Sequence, residues 1–552
     1  MFIPCYQYLT ARGFLLSCVI SLSLLLTTVL YSYYNIFFFN KQYSISFLSQ
    51  TSWAHSIDLS LSFELNALGV TFSTLVILIG LTTNIYTLNY FKNEAQESIF
   101  LFWLNAFIIS MLTLVLSNNF FTLFLGWELI GLTSFFLINF WTAKRSTLKS
   151  SFKAFTFNGV SDVCLLIALI NFFLISETNN ITLLTAVGVE FNAINSKFIY
   201  TGSLFLIICA SIKSVQLLGH LWLPDSMEAP VPASSLIHSA TLVSAGVFIL
   251  LRFQALWTLS GLGWIILGLG SITAAYGGVV AAAQTDMKKL LAYSTMSHCG
   301  FLYVCIYLNN FYVVVLYLFL HGVFKAATFY CAGTFIRVFK SQDTRLMGGG
   351  QRILYLDAVL LVLCAGNLGG LPFFVGYYYK ALFLTFLSVS NVNSFSLGFI
   401  IIGLLSSVVY TFRILYYSCF DFIKVSTFRI IVAVQNTRVN VLTKHTLSTP
   451  SAYTASLILL IASFIISLLM YYLLTYAAIN IDSLPLETEV STKLINTEAT
   501  MYTQYVILFY FFYLVITMLM IVVTYRYYFL FSELIFTYIT GLVCITVIVF
   551  FL

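Results

Sequence analysis

Three lysines occupy positions where a charge is costly. Lys213 lies in ASIKSVQLLGHLWLP (residues 210–224), Lys325 in FLHGVFKAATF (319–329) and Lys380 in GYYYKALF (376–383), each inside a long apolar stretch. Arginine is absent from this set. An arginine stays protonated under almost any condition, whereas a lysine taken out of water can release its proton. The residue choice therefore points to proton exchange rather than to a fixed ion pair.

Further ionisable groups share these surroundings. Glu128 stands near the midpoint of the helix that contains FLGWELIGLTSF (124–135), where a lone carboxylate costs about 2.5–3.5 kcal/mol on insertion scales. A pair with Lys213 across the bundle would hold both charged; a structural pair with another helix is the plainer alternative. His238, in SSLIHSATLV (234–243), can both accept and donate and so can bridge two carriers, or can simply be hydrogen-bonded. His321 and Lys325 are spaced i, i+4, which makes them neighbours on one helix face where two full charges would repel. That arrangement offers a purely structural protein little. Asp162 is expected in the first turns of its helix, as a helix-start residue, a partner of the basic 144–153 stretch, or a member of the same pathway. His220 shares the face of Lys213 but approaches the membrane surface, and TDMKKLLAYS reads as a helix start with surface lysines.

These groups need helices to position them. The chain has 552 residues, 60% hydrophobic and 8% charged, against about 25% charged in soluble domains. Apolar runs long enough to cross a bilayer recur from end to end. Hydropathy predicts fifteen: 13–39, 66–91, 98–117, 119–141, 155–176, 199–223, 231–252, 260–282, 290–308, 310–338, 355–388, 396–418, 452–476, 504–524 and 527–552. The stretches 40–65, 177–198, 419–451 and 477–503 read as loops. The first run is too long and too aromatic for a cleaved leader and is taken as a retained helix.

The basic residues test this map. With sides alternating after each helix, eighteen of the 25 Lys and Arg residues fall on the side of the N-terminus, and four (Lys41, Lys197, Arg252, Lys493) on the other. The three left over are the buried lysines. The excess marks the cytoplasmic or matrix side. Two predicted helices carry interruptions, WLPDSMEAPVP after Gly219 and GNLGGLPFF around Pro372, and breaks of this kind mark transport sites. Each broken helix holds one of the lysines, and the two lie five helices apart. A five-helix unit repeated in inverted orientation fits that spacing.

Several function classes are excluded. No GxGxxG opens a helix after a strand, no GxxxxGK[ST] loop is present, and the ten cysteines form no CxxC pair. No nucleotide, metal or redox site is expected in this chain, and no nucleic-acid partner.

The segments GWELIGLTSF, ASIKSVQLLGHLWLPDSMEAPVPASSLIHSATLVSAGVF, DMKKLLAYSTMSHCGF, LHGVFKAATFYCAG and LPFFVGYYYK resemble the antiporter-like chain 5 family of respiratory complex I, the NADH:ubiquinone oxidoreductase. The resemblance spans about residues 50–418; the nearest competitor is the large subunit of multisubunit cation/proton antiporters. It implies an all-α polytopic protein with an antiporter-like fold, two inverted five-helix repeats and two discontinuous helices. Residues 1–97 would hold the N-terminal helices and an intermembrane-side loop, 98–252 the first repeat, 253–418 the second, and 419–552 the C-terminal helices.

The resemblance further implies that Glu128 and Lys213 form a coupling pair, with His238, His321 and Lys325 as central relay, Lys380 as terminal carrier and Asp162 on the pathway. The implied function is proton translocation coupled to quinone reduction elsewhere. NADH, FMN, iron–sulfur clusters and ubiquinone would then be held by other subunits. The implied partners are the neighbouring antiporter-like chain 4, accessory membrane subunits and lipids such as cardiolipin. The implied location is the mitochondrial inner membrane, with the N-terminus in the matrix. Three features depart from the family: one helix fewer before the 40–65 loop, Ala381 where an aspartate is common, and at most a reduced lateral helix within 504–552.

Overall fold

The computed structural model describes residues 11–421, apart from 40–42, 48–51, 54–56, 59, 92–93, 95, 177, 188–195, 240, 372–373 and 391, and also residues 454–463. Backbone in hydrocarbon must satisfy its own hydrogen bonds, so apolar runs become helices. They do so here as α1 (Ala11–Phe39), α2 (Ala67–Tyr90), α3 (Glu97–Val115), α4 (Phe120–Ile138), α5 (Arg145–Ser176), the short α6 (Ile181–Val187) and α7 (Ser196–Lys213). The chain continues through α8 (Val231–Ser239), α9 (Leu242–Arg252), the short α10 (Gln254–Leu259), α11 (Gly263–Ala283), α12 (Met287–Tyr307) and α13 (Phe311–Phe339). It then forms α14 (Gly350–Ile353), α15 (Tyr355–Gly369), α16 (Val375–Val389) and α17 (Ser394–Leu415). A further helix covers Thr454–Ser463, within the predicted 452–476. Ten of the described helical stretches are long and apolar enough to cross a membrane. The predicted helices 504–524 and 527–552, and with them the lateral-helix question, lie outside the described residues.

Two predicted loops hold structure. In the 40–65 stretch, β1 (Tyr43–Phe47) pairs antiparallel with β4 (Leu61–Leu65), and β2 (Ser52–Trp53) with β3 (Ile57–Asp58). The alternating burial of LSFEL gives β4 one inward face. The 177–198 stretch contains α6.

Contacts between distant segments agree with the alternation of sides. Arg252 pairs with Glu64 at 3.4 Å, and Asn119 bridges to Asn180, all on the side opposite the basic excess. On the basic side Lys153 meets Asp225 at 2.6 Å, Asp286 bridges to Asp343, and Arg413 donates to the carbonyl of Ala282.

Both helix breaks are present. α7 stops at Lys213; Val215 and Leu218 then take φ of 60° and 78°, a left-handed region that branched and bulky side chains rarely enter. Gly219 folds back so closely that a Cβ there would stand 2.8 Å from the Cα of Ile212. Short 3-10 turns, His220–Trp222 and Asp225–Glu228, complete the interruption before α8. The second break ends α15 at Gly370 (φ 70°), and Gly376 packs on it so tightly that a Cβ would lie 1.8 Å from the carbonyl oxygen of Asn367. Pro372 lies outside the described residues. α12 and α13 run through the middle of this assembly and are buried along almost their whole length.

Candidate functional site

The three lysines are buried, and each is caged by a different set of acceptors. Lys213, in the last turn of α7, donates to the carbonyl oxygen of Trp127 on α4 at 3.0 Å and stands 4.6 Å from the centre of the same tryptophan's ring. A cation over an indole face gains about 0.5–2 kcal/mol. Its carboxylate partner is Asp162 on α5, 3.7 Å away, which also accepts from the Ser161 hydroxyl at 3.2 Å.

This corrects two expectations. Glu128 forms no ion pair with Lys213; its side chain is exposed on the outer face of α4. Asp162 is not in the first turns of its helix, because α5 starts at Arg145 rather than at 155 and places Asp162 near its middle. The sequence RSTLKSSFKAF is too polar to read as membrane helix, yet it simply continues the apolar run out past the bilayer: 32 residues span about 48 Å, against a hydrocarbon core of about 30 Å.

Lys325, midway along α13, donates to the carbonyl oxygen of Leu291 at 3.2 Å and to the hydroxyl of Ser294, both on α12. His321, one turn earlier on α13, lies with its ring centre 4.8 Å from that of His298, also on α12. His298 escaped the sequence reading, where it is an isolated polar residue among the small ones of STMSHCGF. In the fold both its ring nitrogens have partners: Nδ1 meets the Tyr317 hydroxyl at 2.8 Å, and Nε2 the Tyr410 hydroxyl of α17 at 3.0 Å.

Lys380, on α16, reaches back to the open end of α15. It donates to the carbonyls of Leu368 (2.8 Å) and Gly369 (3.1 Å) and to the Ser407 hydroxyl on α17 (2.9 Å). The last carbonyls of a helix have no partner within it and carry the negative end of its dipole, so the break creates the cage. Every hydrogen-bond acceptor found for Lys380 is neutral, which suits a position followed by Ala381.

His238, buried at the end of α8, meets the Ser226 hydroxyl at 3.2 Å and stacks on Phe329, one turn beyond Lys325 on α13. It thus connects the first break to the Lys325 helix. Ser214, next to Lys213, is hydrogen-bonded to the Tyr303 hydroxyl of α12. Lys288, read from sequence as a surface lysine, is instead buried and donates to the carbonyls of Met227 (3.3 Å) and Ala229 (3.0 Å), tying the start of α12 to the first break. His220 flanks Tyr276 at that break.

Carbonyl and hydroxyl cages of this kind accept hydrogen bonds from an ammonium, and a hydroxyl can also donate to a neutral amine. Lys325 and Lys380, each beside a serine hydroxyl, therefore find partners in both protonation states. Among the described residues no group of three or more His, Cys, Asp or Glu side chains could hold a metal ion.

Residues 117–408 match the family described as NADH:quinone oxidoreductase/Mrp antiporter, transmembrane. The NADH-ubiquinone oxidoreductase chain 5 of Paramecium tetraurelia is 42% identical over 427 residues, covering 75% of this chain and 74% of the relative. This chain belongs to the NADH-ubiquinone oxidoreductase chain 5 family. The chain 5 of Geomys personatus is 35% identical over 367 residues, 66% of this chain and 60% of its own length.

Two solved structures share the fold of this chain 5 family member. A chain of an archaeal membrane-bound sulfane sulfur reductase superposes with a TM-score of 0.71 at 15% identity, covering 90% of this chain and 94% of that one. A chain of the Mrp complex from Dietzia gives 0.65 at 20% identity, covering 88% and 56%. The match to residues 117–408 contains all three lysines, both breaks and the full α12–α13 pair.

Proposed function

We propose that this chain is a proton-translocating membrane-arm subunit of NADH:ubiquinone oxidoreductase, working without a redox centre of its own. The observation that carries the reading is that, among the described residues, Lys213, Lys325 and Lys380 are buried inside the bundle, each in its own cage of hydrogen-bond acceptors, and no arginine shares those positions. Lys213 with Asp162, then His238, Lys325 with His321, and finally Lys380 form the route. A proton taken up from the basic side is held on Lys213 or on the Lys325–His321 pair and leaves through Lys380. NADH, FMN, iron–sulfur clusters and ubiquinone belong to other subunits.

Glu128 has a role at the outer face. A carboxylate in mid-membrane that no basic group among the described residues pairs calls for a neighbour with a positive charge, and the antiporter-like chain 4 is the partner we assign. Accessory subunits and cardiolipin complete the surroundings. The setting we assign is the mitochondrial inner membrane, where the charge bias would put the N-terminus in the matrix.

Lys213→Met in the assembled complex tests the reading. NADH-driven proton uptake into sealed vesicles should fall at least tenfold relative to the wild type at equal assembly. Uptake at the wild-type rate in that variant would refute the assignment. Proton flux driven by sodium or potassium without NADH would favour a cation/proton antiporter instead.

A further inference from the structure

Between the Lys325 cage and the Lys380 cage the proposed route has a gap that neither lysine closes. Lys325 is held by Ser294 on α12, and Lys380 by Ser407 on α17. His298 lies one turn beyond Ser294 on α12, and Tyr410 lies one turn beyond Ser407 on α17. Those two side chains meet: Tyr410 Oη stands 3.0 Å from His298 Nε2.

We propose that His298 is the bridging residue between the Lys325 and Lys380 cages, a role that rests on the proton-translocation reading above. The imidazole is fully buried and engaged on both nitrogens, by Tyr317 at 2.8 Å and Tyr410 at 3.0 Å. A neutral imidazole has one donor and one acceptor nitrogen, so one tyrosine donates to the ring while the other accepts from it. A proton arriving at one nitrogen releases the proton on the other, which leaves the ring neutral in its second tautomer. Each tyrosine hydroxyl likewise takes one proton and passes on its own, so no net charge accumulates on the bridge.

The flanking groups direct this exchange. On the near side the tilted His321 ring lies 4.8 Å away, and its buried Nε2 has no hydrogen-bond partner among the described residues. On the far side the Tyr317 ring meets that of Tyr379 edge-on at 4.7 Å, and Tyr379 is the residue before Lys380. The bridge thus has the Lys325–His321 pair on one flank and Tyr379, beside Lys380, on the other. Its essential property is a side chain that donates on one side and accepts on the other. An amide of similar reach can do the same, and a hydrocarbon cannot.

The test compares three variants with Lys325→Met, all in the assembled complex in sealed vesicles, reading NADH-driven proton uptake and NADH oxidation together. His298→Leu should reproduce at least half of the loss of uptake caused by Lys325→Met. Tyr410→Phe, which removes one arm of the bridge and leaves the ring in place, should lose in the same direction and serves if the Leu variant does not assemble. His298→Gln should keep more than half of wild-type uptake. The inference is overturned if His298→Leu or Tyr410→Phe pumps as the wild type while Lys325→Met does not, or if His298→Gln falls as far as His298→Leu. Should Lys325→Met itself pump normally, the translocation reading fails and not the bridge alone.

Discussion

Lys213, in the last turn of α7, and Asp162, in the middle of α5, approach to 3.7 Å inside the bundle, while Glu128 turns to the outer face of α4. The carboxylate that balances the buried ammonium is therefore the one whose helix begins ten residues before hydropathy places it. Asp162→Asn leaves Lys213 without its counter-charge. Its cost should be about 1–3 kcal/mol, less than for a fully buried pair because the Asp162 side chain is 20% exposed. Glu128→Gln removes no partner of Lys213 and should not destabilise this chain. Thermal unfolding of the two variants in the same detergent ranks them; the opposite ranking would return Glu128 to Lys213.

Trp127 contributes twice to the same ammonium, through its carbonyl and through its ring. Trp127→Leu removes only the ring contribution. A double-mutant cycle with Lys213→Met should give a coupling energy of about 0.5–2 kcal/mol. A value near zero would mean that the ring is packing alone.

The second break depends on a contact that admits no side chain. Gly376→Ala would drive a methyl group into the carbonyl of Asn367, and the backbone of α15 or α16 would have to move. That movement also displaces the carbonyls of Leu368 and Gly369 from Lys380. The expected cost is about 3 kcal/mol or more, seen as loss of assembled complex on a native gel. Gly268→Ala, at a helical glycine with open space around it, is the matched control and should assemble normally.

On the side opposite the basic excess, Arg252 and Glu64 are paired with side chains only 8% and 7% exposed. Arg252→Met strands a buried carboxylate and should destabilise by about 3–5 kcal/mol. Adding Glu64→Leu should recover most of that loss, because two apolar groups can replace a buried pair at little cost. Melting of the single and double variants decides; a double variant no better than the single would show that the pair does more than neutralise itself.

Much of this arrangement was readable in the residues. Apolar runs gave most described crossings to within a few positions; α5 starts ten residues before its predicted limit, where it extends into polar sequence, and α7 ends ten residues before its own, where the first break begins. The two breaks were visible in glycine and proline, and the lysines in the charge balance. What failed was pairing. Whether Lys213 meets Glu128 or Asp162 depends on how α4, α5 and α7 are rotated about their axes, which no local pattern records. His298 was hidden for a related reason: its importance comes from two tyrosines that lie 19 and 112 residues away. The short strands β1 to β4 were missed because five-residue alternation is weak against a polar background.

α12 touches all three lysine environments. Tyr303 meets Ser214 beside Lys213, Ser294 holds Lys325, and His298 meets Tyr410 one turn from the serine that holds Lys380. These three side chains lie within ten residues of one helix, a rod rising about 14 Å from first to last. Such a rod cannot turn or slide beneath one lysine without doing so beneath the other two. A displacement of α12 as a rigid rod would therefore disturb all three lysine surroundings together.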